Sequence, residues 1–204
     1  MHGTWLRSKC SAPCGNNSTA LTSAALPEER RRALKAEHIA SQFLASFAML
    51  RAAVSACHDA LWDRDVDDNR FWQIAYHTLF YTDLYLAPSE EAFVPWEKHI
   101  ADYPHMGRLP WPPHDEPRIG EPYTKDEIVA YLALIEAKIS ESLAAIPDDD
   151  PSGFYWLPMT KGETHLYNLR HVQHHVGQLI ERLRQETGQG VDWIKRDERE
   201  ASPR

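Results

Sequence analysis

Apolar residues recur at helical spacing along four stretches of the chain, and no stretch reads as a strand. From about Pro27 to Trp62, the residues Phe43, Phe47, Leu50, Val54, Cys57 and Leu61 return every three or four positions. That is the stripe of one long amphipathic helix. Residues 63–69 are polar and break the pattern. The next stretch, FWQIAYHTLFYTDLYL over 71–86, is apolar on nearly every side. It is too long for a strand, which runs about 4–8 residues, so it predicts a buried helix ended by Pro88.

Residues 93–122 carry seven prolines and no period. They predict a long loop, anchored by Trp96, Tyr103, Trp111 and Tyr123. Loops beyond about 12–15 residues are uncommon in a compact domain unless functional or disordered. A third helix begins at Thr124, with Glu127 three residues on as a capping box. Its stripe is Ile128, Tyr131, Leu132, Ile135, Ile139 and Leu143, and it runs to about Ile146. A turn at 148–153 and an aromatic loop from Phe154 to Met159 follow. Tyr155 and Trp156 in that loop are expected to pack in the core or to line a pocket mouth. The fourth helix runs from about Gly162 to Thr187 and stops at Gly188-Gln189-Gly190. The pattern predicts an all-α protein, a four-helix bundle with a long Pro-rich loop between helices 2 and 3. Residues 1–27 are expected to be a disordered tail, 28–190 the bundle, and 191–204 a loose C-terminal tail.

Composition narrows the function. The 204 residues suit one domain, and 43% of them are hydrophobic, enough for a sizeable core. The net charge of −8 repels phosphate backbones and acidic membranes, so neither nucleic acid nor a membrane is expected as partner. The basic run at Arg30-Arg31-Arg32 follows acids and reads as a solvated helix start. The three cysteines, Cys10, Cys14 and Cys57, do not make a disulfide framework and fit a reducing, cytoplasmic setting. No run of about 18 apolar residues predicts a membrane span, and no apolar h-region predicts a signal peptide.

The candidate chemistry lies in RHVQHHVGQL, residues 170–179. On a helical wheel at about 100° per residue, His175 falls about 40° from His171. The apolar stripe of Leu169, Val172, Val176, Leu179, Ile180 and Leu183 is centred about 130° away. Two imidazoles at i and i+4 project side by side and can grip one metal ion. A third ligand must come from elsewhere, and the second helix offers His77, on the same face as Ile74, Tyr81 and Leu84. Each feature has a plainer reading. An HxxxH pair also occurs on solvated faces, and a lone core histidine is usually just hydrogen-bonded. Other metal sites are excluded. No histidine has Glu three residues before it, as a di-iron bundle needs, and the HxxxH lacks the Glu of an H-E-x-x-H peptidase.

His77 in the second helix, His171-x-x-x-His175 in the fourth, and the Gly177-Gln178-Leu179 that follows resemble the DinB/YfiT-like superfamily. The resemblance covers about residues 35–190. It implies an up-down-down-up-type four-helix bundle, often a homodimer. It implies that His77, His171 and His175 bind one divalent ion, usually zinc or nickel, with His174 left unbound. Characterised relatives include bacillithiol transferases and mycothiol-dependent isomerases, so a small-molecule substrate and a low-molecular-weight thiol are implied. Asn168, Gln178 and Tyr81 are candidate partners for the outer N–H groups of the ligands, although Asn168 and Gln178 read equally well as solvating the helix; Asp83 sits too far round its helix. No catalytic residue is singled out. A metal-dependent hydrolase, and a non-catalytic metal-binding or dimerising bundle, remain as alternative functions.

Overall fold

The computed structural model describes residues 27–65 and 68–197. Among them are five helices and no strand: α1 (Glu28–Ala56), α2 (Asp59–Trp62), α3 (Phe71–Leu86), α4 (Lys125–Ala145) and α5 (Lys161–Thr187). The tail expected over 1–27 lies, apart from Pro27, outside the described residues, as do Cys10, Cys14 and residues 198–204.

The four long helices share one core. α3 packs on α4 and α5, and α1 packs on the same two. The predicted stripes point inward: Phe43, Phe47, Leu50 and Val54 from α1 meet Ile128, Leu132, Ile135 and Ile139 from α4 and Val172, Val176 and Leu179 from α5. By length and composition alone, the Lys35–Ala56 part of α1 could cross a membrane. Its apolar stripe is instead buried against the other helices.

The first predicted helix is in fact two. Cys57 and His58 are extended, and α1 ends one residue before them. Cys57 and Leu61 stay buried across the break, so the apolar spacing carries no sign of it. The kink brings Trp62 under the long loop, where its indole N–H donates to the Tyr123 carbonyl at 2.8 Å. Cys57 is a free thiol, and burial pushes its pKa up to about 12. The capping box of α4 is formed as expected: Glu127 N–H donates to Thr124 Oγ1, and Thr124 N–H to Glu127 Oε2. α5 is capped by Thr160 and closes on Gly188, whose φ of 72° is the left-handed conformation that glycine adopts freely.

Residues 87–124 form no helix or strand. Trp96 stacks flat on Tyr131 with centroids 4.7 Å apart, and Tyr103 and Tyr123 pack on Trp72 and Tyr76. These three anchors are buried, whereas Trp111 is 50% exposed and touches only the edge of His105 among aromatic rings. In the 154–159 loop the core-packing expectation for Tyr155 and Trp156 fails, while Tyr155 does line a surface pocket with Pro151, Met159 and Glu163. Phe154 and Leu157 are its buried members, while Tyr155 is 88% exposed and Trp156 is turned outward too. The described residues after α5 are not loose. Val191 and Ile194 pack on the core, Gln42 donates to the Lys195 carbonyl, and Asp197 N–H donates to Ser41.

One cluster fixes α3 against α5. Lys161, at the start of α5, is fully buried and donates to the carbonyls of Tyr85, Ala87 and Ser152. A cation there satisfies carbonyls that the end of α3 leaves open and meets the negative end of its dipole. Burial lowers the Lys161 pKa to about 8. Gly153 lets the neighbouring loop close over this cap. Its φ is +85°, and a Cβ there would lie 2.0 Å from the Pro88 carbonyl oxygen. Gly153→Ala is expected to lower stability by about 2–3 kcal/mol, read as an earlier urea midpoint at unchanged slope. An unchanged midpoint would show that the loop relaxes without cost.

Candidate metal centre

Packing α3 on α5 sets His77 opposite His171 and His175, which lie one turn apart on α5. One ring nitrogen from each of the three lies within 4.8 Å of the others. The Nε2 atoms of His77 and His171 are 3.1 Å apart. Two nitrogens about 2.0–2.1 Å from one tetrahedral metal would stand about 3.3 Å apart, so this pair needs little movement to share an ion. The ring centroids of the trio are 4.5 to 5.1 Å apart.

The outer nitrogens decide what the inner ones offer. His77 Nδ1–H donates to the Pro104 carbonyl at 2.6 Å, so its Nε2 presents a lone pair. His175 Nδ1–H donates to Gln178 Oε1 at 2.6 Å, with the same result. His171 differs. Its Nε2 faces the lone pair of His77 Nε2 and so carries the proton in this arrangement, while its Nδ1 is buried with no partner among the described residues. To offer Nε2 to an ion, His171 moves that proton to Nδ1.

The environment keeps the trio neutral, the state in which imidazole ligates. Burial pushes the His77 pKa down to about 4; the Pro104 carbonyl opposes this and the nearby His175 adds to it. Burial, then the other three histidines of the neighbourhood, takes His171 down to about 3. His175 is also lowered, first by burial, with Gln178 opposing. The donor set is therefore three neutral nitrogens, which suits zinc, nickel, copper or iron. His77 and His171 are only partly buried, so the crease is open to solvent on one side.

The trio expected from the sequence is thus brought together. His174 lies outside it, exposed, with its ring 4.9 Å from that of His175. Gln178 accepts from the outer nitrogen of His175, the position at which the sequence offered it. Tyr81 meets the cluster through its ring, 4.7 Å from His77 and 5.8 Å from His171. Asn168 does not bond to the pair. It lies about 60° round α5 from His171, toward the apolar face, and its amide N–H donates to the Thr82 carbonyl at 3.1 Å. Asp83 points to α4, bonding the Tyr131 hydroxyl and pairing with Lys138. Arg170 is exposed and stacks over Tyr167. Sequence reasoning missed Pro104. A backbone carbonyl has no residue-type signal, and only the loop's path brings it to His77. Gln73 holds that path by donating to the His105 carbonyl at 2.9 Å.

The lowered pKa values have a consequence for stability. In the unfolded chain these histidines bind protons near pH 6.5; in the folded protein His77 waits until about 4 and His171 until about 3. Between those limits the unfolded chain holds more protons, so acid favours unfolding. The metal-stripped protein is expected to lose urea resistance steadily as pH falls from 7 to 4.5. A His77→Leu/His171→Leu variant should lose less over the same window. Equal losses in both would show that the buried imidazoles are not the cause.

The model of the DinB superfamily matches residues 42–179. Neither a curated protein nor a solved structure matches the chain. The matched span is more than half of the sequence and includes all three histidines, so the chain belongs to the DinB superfamily.

Proposed function

We propose that this protein binds one divalent metal ion through His77, His171 and His175 and uses it as a metalloenzyme on small molecules. The observation that carries the reading is the convergence of three neutral imidazoles from two helices at the mutual reach of one ion. Zinc or nickel is the ion proposed, and the helices form a four-helix bundle of DinB/YfiT type with the Pro-rich loop closing one side. When bound, such an ion leaves coordination positions open and acidifies water or a thiol offered there, the chemistry of hydrolysis or of thiol transfer to an electrophile.

The chain's own residues do the positioning. Pro104 and Gln178 fix the tautomers of His77 and His175. The Tyr81 ring covers one side of the cluster and limits water there. The partial exposure of His77 and His171 leaves an approach for substrate. That exposure favours an open, enzyme-type site over a closed structural one. A low-molecular-weight thiol as cosubstrate, a homodimer and a cytoplasmic location complete the proposal.

Metal content of the untagged protein by mass spectrometry is the first test. About one equivalent is expected in the parent, and almost none in His77→Ala or His171→Ala/His175→Ala. No metal in the parent after loading with zinc or nickel and dialysis would overturn the reading. Gln178→Ala should keep the fold and weaken zinc binding about 10- to 100-fold, measured by chelator competition. Unchanged affinity would remove Gln178 from the site. Thiol-transfer and hydrolysis assays with model electrophiles then separate the two chemistries; full metal with neither activity would mark a non-catalytic metal protein.

A further inference from the structure

Among the described residues, five buried side-chain atoms lack a hydrogen-bond partner: Asp83 Oδ1, both ring nitrogens of His165, Asn168 Oδ1 and His171 Nδ1. Asp83 Oδ1 faces the Lys138 ammonium and is accounted for. The other four lie on α5 at positions 165, 168 and 171, each three residues from the next. Side chains three apart on a helix are neighbours, with Cβ atoms about 5–6 Å apart, and they lean toward the helix N-terminus. His171 therefore leans toward Asn168, and Asn168 toward His165.

The opposite wall is polar as well. On α3, Thr78 and Thr82 are fully buried, and their hydroxyls donate back to Ile74 and Thr78 carbonyls at 2.7 and 2.6 Å. Each hydroxyl oxygen keeps lone pairs free for another donor. The Thr82 carbonyl holds the Asn168 amide, which turns Asn168 Oδ1 away from that bond. At the far end, Lys161 stands one turn before His165 with its ammonium on the carbonyls that end α3. A polar seam thus runs along α5, from the histidine trio through Asn168 and His165 to the buried lysine, with Lys161 and Asp148 as the charged groups near His165.

Buried polar atoms in native proteins are nearly always bonded, to protein or to ordered water. Four unpaired atoms in one file are therefore the mark of a water site. We propose that buried waters in this seam join His165, Asn168 and His171, and that His165 and Asn168 act through them as positioning residues for His171. The water part stands on hydrogen bonding alone; its effect on an ion rests on the metal-binding reading above.

Water fits the role better than a fixed acceptor would. With no ion, His171 Nδ1 is an acceptor, and the water donates to it. When His171 offers Nε2 to an ion, Nδ1 carries the proton, and the same water accepts it while donating to Asn168 Oδ1. A carboxylate in that place would hold only the second state. The His165 ring closes the other end of the file, since a neutral imidazole has one donor and one acceptor.

A crystal structure of the metal-stripped protein tests the waters directly. Ordered waters within hydrogen-bonding distance of His171 Nδ1, Asn168 Oδ1 and a His165 nitrogen are expected; a dry seam, or direct side-chain bonds that satisfy these atoms, would overturn the proposal. Zinc affinity by chelator competition tests the positioning. Asn168→Leu should weaken it about 10- to 100-fold. His165→Leu, which leaves the Thr82 bond intact, should weaken it about 10-fold with helical circular dichroism unchanged. Parent-like affinity in His165→Leu would overturn the positioning role even if Asn168→Leu fails to fold. A parent that binds no zinc would instead sink the metal reading, and the crystallographic result on the waters would still stand.

Discussion

The structure depends on one constraint: wherever α3 packs on α5, polar groups are buried and must be answered. An isolated buried imidazole or ammonium is costly unless it is bonded. The helix pair meets this from both ends. Lys161 is answered by the Tyr85 and Ala87 carbonyls at the end of α3 and by that of Ser152. His77 and His175 are answered on their outer sides by Pro104 and Gln178, which leaves their inner nitrogens facing one another. Apolar packing from α1 and α4 then holds the pair together and, among the described residues, adds no member to the histidine cluster. The helices divide the labour: two make the site and two press it closed.

The long loop belongs to the site as well as covering the core. Its aromatic anchors on Trp72, Tyr76 and Tyr131 set the path that brings the Pro104 carbonyl to His77. The bond is reciprocal. A fixed loop orients the imidazole, and an imidazole held by an ion would in turn hold the loop. This gives a reason for a segment of unusual length in a small helical protein.

Much of this was legible in the sequence, for identifiable reasons. Phe71–Leu86 reads as a buried helix because it is apolar all round and too long for a strand. Thr124 and Glu127 announce α4 because a capping box is a fixed local bond pattern. The trio is legible because His171 and His175 share a face and His77 sits alone among apolar neighbours. What escaped has no local pattern. The break at Cys57–His58 keeps its apolar stripe, so spacing cannot reveal it. Asn168 flanks the pair on a wheel, but a wheel does not show that the Thr82 carbonyl claims its amide. The Pro104 carbonyl, the outward turn of Tyr155 and Trp156, and the seating of residues 191–197 are all set by contacts between segments far apart in the chain.

Helix ends ordinarily fray, opening with little free energy while the middle stays closed. The last turn of α5 is differently placed. Beyond Gly188 the chain turns back, seats Ile194 on the core and bonds Ser41 and Gln42 of α1. For α5 to unwind from its C-terminus, these contacts with the first helix must yield as well. The middle of the first helix and the end of the described chain are thereby joined, and amide hydrogens near the end of α5 should exchange on the timescale of the core rather than of a free terminus.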